Sequence, residues 1–155
     1  MADHNERWVL NHLIEMCKDE ELALRYAVDH VKAPSVKSLF MELASQRAQF
    51  AADLLPHAQR LGGSDASEGT ARGALRRGWL ALRHTIVGSS DHQILSEAEH
   101  AEQVAQTTYR HALDDMLPPT TRDLVERQWE AIQRDHDHSV PCHSYSFVES
   151  TLGVV

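Results

Sequence analysis

Four stretches of this chain repeat apolar residues at spacings of three, four and seven, and strand-like alternation is nearly absent. The first, about 5–31, carries Leu10, Leu13, Ile14, Cys17, Leu24, Val28 and Val31. The second, about 35–61, carries Leu39, Phe40, Leu43, Phe50, Ala51 and Leu54. The third, about 91–116, is faced by Ile94, Leu95, Ala98, Ala105, Tyr109, Ala112 and Leu113, and the fourth, about 120–138, by Leu124, Val125, Trp129 and Ile132. A helix with one apolar stripe must bury it against another element, and with no strands available that element is another helix. The pattern predicts an all-α bundle of four helices.

Punctuation limits how the helices connect. Pro34 pushes Ala33 out of helical geometry and can open the second helix at its first turn. Pro56 should kink or end that helix early, and Gly62-Gly63 closes it. Asp91 is placed to cap the third helix, the "LPPTT" stretch forms a tight reversal, and Pro141 should stop the fourth. The connector between helices two and three holds a further helix, about 70–87, with a narrow stripe of Leu75, Trp79, Leu82 and Ile86. About 18 helical residues at 1.5 Å each span roughly 27 Å, the length of the bundle. Short, long and short connections therefore predict a ferritin-like four-helix bundle with one long crossover connection carrying an extra helix. The bundle is expected over 1–140 and a tail of mixed character over 141–155.

With 155 residues, 42% of them hydrophobic and 25% charged, the chain suits one globular domain with a real core. A net charge of -8 argues against nucleic acid as a partner. The basic group Arg72, Arg76, Arg77 and Arg83 reads as a solvated face of the crossover helix. No run is long and apolar enough for a membrane span, and the "MADHNERW" start lacks a signal peptide's charge pattern. Cys17 and Cys142 sit in different contexts and do not form a disulfide framework, so the expectation is a cytoplasmic protein. Cys17 is expected as a small core residue, and Trp8, Trp79 and Trp129 as core or dimer-interface anchors.

Advancing about 100° per residue from the centre of each apolar face identifies the polar residues that point inward. Glu20 and Glu21 do so on the first helix, while Asp19 turns outward. Arg47 lies near the centre on the second helix, with Gln46 marginal. Glu102 qualifies on the third helix, and Gln128 and His136 on the fourth. At 1.5 Å per residue the acids, Arg47 and His136 fall within about one turn of a common layer. Buried charges must be paired or metal-bound. One solution is an ion-pair network in which Arg47 neutralises the acids. The other is a dinuclear metal centre using Glu21, Glu102 and His136. That centre wants Glu-x-x-His on helices two and four, where this chain has Gln46-x-x-Gln49 and Gln133-x-x-His136. Tyr26 and Tyr109 lie one or two turns from acids; a Tyr beside metals, as ferritin-type sites keep, and a buried Tyr bonded to a carboxylate are the two readings, the second at least as well supported. In the tail, His138, Cys142 and His143, near His136, are metal-binding residue types in no standard spacing.

The stretches "LNHLIEMCKDEELALRYAVD", "SLFMELASQRAQFAADL", "RLGG", "GALRRGWLALR", "ILSEAEHAEQVAQTTYRHAL" and "LPPTTRDLVERQW", with a later His, resemble a bacterial, mainly proteobacterial, ferritin-like four-helix-bundle family. That family is catalogued only as a domain of unknown function. The resemblance covers about residues 10–136, with Lys18-Asp19, "QRAQF" and "RGW" as its most distinctive pieces. It implies a ferritin-like bundle and brings no substrate, cofactor or catalytic residue. Asp19 belongs to its pattern, although the helical wheel turns Asp19 outward. The tail departs from the family, whose members continue the last helix with a charged segment.

Two functions stand as expectations. In the first, the protein is a non-catalytic binding or stress-associated homo-oligomer with a buried ion-pair layer and no cofactor. In the second, it is a di-iron or di-manganese carboxylate protein that acts on peroxide or oxygen, or stores metal.

Overall fold

The computed structural model describes the backbone of residues 2–62, 86 and 88–152, and the side chains of 5–62, 86 and 88–137. It is built of α1 (Ala2–Val28), α2 (Pro34–Arg60), α3 (Asp91–Asp114) and α4 (Pro119–Leu152), with no strand among the described residues. Helix α1 packs on α2 and α3, and α4 packs on the same two. This is an all-α four-helix bundle.

Side-chain contacts fix the directions. Asn5 at the start of α1 donates to Asp115 Oδ1 just past the end of α3, at 3.1 Å. At the other end, the backbone N–H groups of Lys32 and Ala33 donate to the Asp91 carboxylate at 2.9–3.0 Å. His57 near the end of α2 bonds Thr121 at the start of α4, at 2.8 Å. Helices α1 and α3 are therefore antiparallel, as are α2 and α4. Helix α2 ends and α3 begins at opposite ends of the bundle. The helix expected at 70–87 lies outside the described residues apart from Ile86, which is buried against Leu24, Phe40 and Ile94.

Three local expectations change. Ser90, not Asp91, is the N-cap of α3: its hydroxyl accepts from Gln93 N–H while the Gln93 side chain accepts from Ser90 N–H, a capping box. That releases Asp91 to hold the α1–α2 turn. Pro56 does not end α2, because it lies on the exposed face in the last turns, where a missing N–H costs little. Gly62 at φ 81° closes that helix in the left-handed conformation glycine favours. Helix α4 runs through Pro141 to Leu152, so proline removes one backbone bond there without stopping the helix, and the expected tail begins as helix.

The interior divides into two apolar clusters. One contains Leu10, Leu13, Cys17, Phe50, Leu54, Tyr109, Val125 and Ile132. The other contains Leu24, Ala27, Val31, Val36, Phe40, Leu43 and Ile94. In sequence, Glu20, Arg47 and Glu102 each fall between the two sets on their own helices.

Candidate functional site

Arg47 is the pivot of that polar layer and is 0% exposed. It reaches this position because α2 buries Val36, Phe40, Leu43, Arg47, Phe50 and Leu54 at alternating spacings of four and three, a heptad seam. On α1 and just beyond its end, Leu10, Leu13, Cys17, Glu20, Leu24, Ala27 and Val31 follow the same alternation, and all but Glu20 are buried core residues. Glu20 thus occupies a seam position facing Arg47.

The guanidinium uses all three of its arms. Nε donates to Glu20 Oε2 at 2.5 Å, Nη2 donates to Glu102 Oε1 at 2.6 Å, and Nη1 donates to Gln46 Oε1. Gln46 passes the contact on, its Nε2 donating to Asp135 Oδ2 on α4 at 2.7 Å. The guanidinium carbon also stands 5.7 Å from the Phe50 ring centroid, a cation–π distance. One cation thereby ties α1 and α3 directly and α4 through an amide. Charge-assisted bonds of this kind are about twice as strong as neutral ones.

The electrostatics are unequal. Burial alone would make Arg47 easier to deprotonate, but Glu20 and Glu102 outweigh it and hold the guanidinium charged. Two buried carboxylates compete for that single charge. Burial pushes the Glu20 carboxyl up to about 7; Arg47 opposes this and Glu102 adds to it. Burial also raises Glu102, with Arg47 pulling it down and Asp135 pushing it up. The layer therefore keeps a proton on one carboxyl well above the ordinary carboxylate range.

About one turn away, a second polar chain crosses the bundle. Cys17 Sγ lies 3.3 Å from Tyr109 Oη. The Tyr109 hydroxyl donates to Gln128 Oε1 at 2.8 Å, and Gln128 Nε2 donates to the Phe50 carbonyl at 3.3 Å. All four helices contribute. The Tyr109 partner is an amide and a thiol, not the carboxylate expected from the sequence. Burial pushes the Cys17 thiol up to about 12, so Cys17 is not a thiolate nucleophile.

The structure brings together Glu20, Arg47 and Glu102, and sets Gln128 in the neighbouring chain. Glu21 is the exception: its carboxylate accepts from Arg25 Nε at 2.8 Å, an i,i+4 pair on the outer face. The reason is a drift between the ideal helical repeat and the 3.5-residue seam, about 20° per heptad, which turns Glu20 in and Glu21 out. Asp19 is half-buried beside Glu15, and burial followed by that neighbour raises its carboxyl to about 6. His136 is half-buried, and its Nδ1 is fully buried with no hydrogen-bond partner, as is Glu102 Oε2. Trp8 is 62% exposed and stacks on His12, while Trp129 packs partly buried against the core. The side chains of His138, Cys142 and His143, and the whole of Trp79 and the Arg72–Arg83 group, lie outside the described residues. Sequence reasoning missed Asp135, whose signal was its place in the seam Thr121, Val125, Gln128, Ile132 and Asp135.

These residues do not fit a dinuclear metal centre. The Arg47 guanidinium stands between Glu20 and Glu102, Glu21 faces Arg25, and α2 offers the amides Gln46 and Gln49 in place of Glu-x-x-His. A fixed cation there repels metal ions.

The model of a family described as a domain of unknown function (DUF2383) matches residues 6–115. Comparison with curated proteins gives no match. The matched span takes in α1 from its second turn, α2 and all of α3, and so includes Glu20, Arg47 and Glu102; Gln128 and His136 on α4 lie beyond it. With most of its length, and Glu20, Arg47 and Glu102, inside that match, the chain belongs to the DUF2383 family.

Proposed function

We propose that this protein is a ferritin-like bundle, with its chain crossing the full length between α2 and α3, that works by association and not by catalysis. The polar layer is then a closed ion-pair network that fixes how the helices pack, and function lies on the surface. The observation that carries this reading is the full engagement of Arg47 by Glu20, Glu102 and Gln46, which leaves no open catalytic centre at the middle of the layer. Support for self-association comes from the α1–α3 side. Trp8 lines a groove there with His12, Thr108 and His111, and Val104 lies one turn before Thr108 and is exposed. Met116, just beyond α3, is 87% exposed. Scattered apolar residues are ordinary on a surface, but a tryptophan and a methionine so exposed are the types enriched at interfaces.

The test is sedimentation or light scattering on the untagged chain. A dimer or larger species, dispersed by Trp8→Glu with unchanged helicity, is the expected result. A strictly monomeric protein at every concentration would remove self-association, leaving only binding to a different partner.

A further inference from the structure

Both ends of the connection between α2 and α3 lie against α1. The chain leaves at Gly62, whose carbonyl accepts from Arg7 Nη1 in the second turn of α1 at 3.3 Å. It returns at Ile86, which is 3% exposed and belongs to the same buried cluster as Leu24, Phe40 and Ile94. Ile86 lines a cavity of about 50 Å³ along the α1–α3 groove, together with Ala23, Ala27, Ala98 and Ala101. Glu20 and Glu102 are among its lining residues too. From Arg7 to Leu24 is 17 residues along α1, roughly 26 Å at 1.5 Å per residue. The 23 residues 63–85 are enough to cover that distance as a helix.

Their sequence supplies a matching face. Leu75, Trp79, Leu82 and Ile86 are spaced by four, three and four, the alternation of a helical seam, and Ile86 is already seated. An apolar stripe on a helix must be buried. The surface beside Ile86 is lined by alanines, small enough for large side chains to settle against them. Charge agrees. At about 100° per residue, Arg72, Arg76 and Arg83 fall on one flank of the stripe and Arg77 on the far side. On α1, Glu15 and Asp19 are half-buried acids one turn apart, without an ion pair among the described residues. Burial and Glu15 raise the Asp19 carboxyl to about 6, as befits an acid in want of a counter-charge.

We propose that residues 72–86 of this same chain form a helix docked in the α1–α3 groove, parallel to α1. Ile86 sets the register. With Ile86 level with Leu24 and Ala27, the shared rise brings Leu82 near Ala23 and Ala98, Trp79 near Ala101, and Arg76 near Glu15 and Asp19. The docked helix covers the cavity that Glu20 and Glu102 line, and so shields the ion-pair layer from water on that side. Trp8 lies beyond Leu75 at the Arg7 end and remains on the surface. This placement rests on the crossing proposed above and is independent of self-association, so a monomeric chain leaves it standing.

The experiment uses the full chain carrying Trp8→Phe and Trp129→Phe, which leaves Trp79 as the one tryptophan. Its emission should be blue-shifted and shielded from acrylamide, and should stay so on dilution. Ala101→Gln, which fills the seat, should shift it to the red. Arg76→Glu should increase quenching, while Arg77→Glu should not. A second measurement needs no fluorescence: in a Cys142→Ser background, Ala23→Cys with Leu82→Cys should close a disulfide within one chain. Met41→Cys with Leu82→Cys, on the outer face of α2, should not. Emission typical of water-exposed tryptophan, or failure of the 23–82 pair to close, overturns the proposal. So does a disulfide that joins two chains or shielding lost on dilution, since either assigns the groove to a second copy.

Discussion

At the residue scale, the layer makes Arg47 and its acids unequal partners. Arg47→Met leaves two carboxylates buried without a counter-charge and should destabilise the fold by about 3–5 kcal/mol, measured by urea unfolding near neutral pH. Arg47→Lys should not restore it, because an ammonium cannot present the guanidinium's planar fork to Glu20, Gln46 and Glu102 together. Glu20 carries a pH signature. Its carboxyl is raised from 4.5 in the unfolded chain to about 7 in the bundle, so the folded protein binds the extra proton between those values. The contribution is fully present below 4.5 and is lost as pH rises through 7, a decline of roughly 2–3 kcal/mol. Glu20→Gln should flatten that part of the stability profile; an unchanged slope would show that another group titrates there. Arg47 was legible as an inward polar residue because it lies near the centre of its apolar face, and Glu102 and Gln128 because they fall within the inward arc of theirs. Choosing between Glu20 and Glu21 was beyond a fixed angular step. It depends on the helix following a seven-residue seam, which only packing reveals.

At the element scale, the ends of the helices hold the bundle in register. Asp91 accepts backbone bonds from Lys32 and Ala33, so it joins the α1–α2 turn to the start of α3. Asp91→Ala should cost about 1–3 kcal/mol, with hydrogen exchange speeding up at Lys32 and Ala33 before it does in mid-helix. Protection unchanged at those two amides would show that the turn holds itself. Gly62→Ala meets no atom within 4 Å, so any loss must come from the positive φ alone, about 1 kcal/mol. Among the described residues, the four long helices and most of their limits follow from periodicity and from Pro34 and Gly62. The exceptions are physical: Ser90 outcompetes Asp91 as cap because Gln93 completes its box, and proline in a long helix removes one bond without ending it. The Asp91 contact joins residues 58 and 59 positions apart, and no local pattern encodes it.

At the scale of the whole molecule, the polar layer separates two apolar clusters and so sets where each helix sits along its neighbours. The buried charges form one unit, with Arg47 paired to both Glu20 and Glu102. Removing one member of such a unit is far worse than removing all of it, since an apolar replacement of comparable volume leaves nothing unpaired. The direct measurement is equilibrium urea unfolding of Arg47→Met beside the triple variant Glu20→Leu, Arg47→Met, Glu102→Leu. The single variant should lose about 3–5 kcal/mol, and the triple should recover most of it. A single variant as stable as the parent, or a triple no more stable than the single, would contradict the closed ion-pair layer.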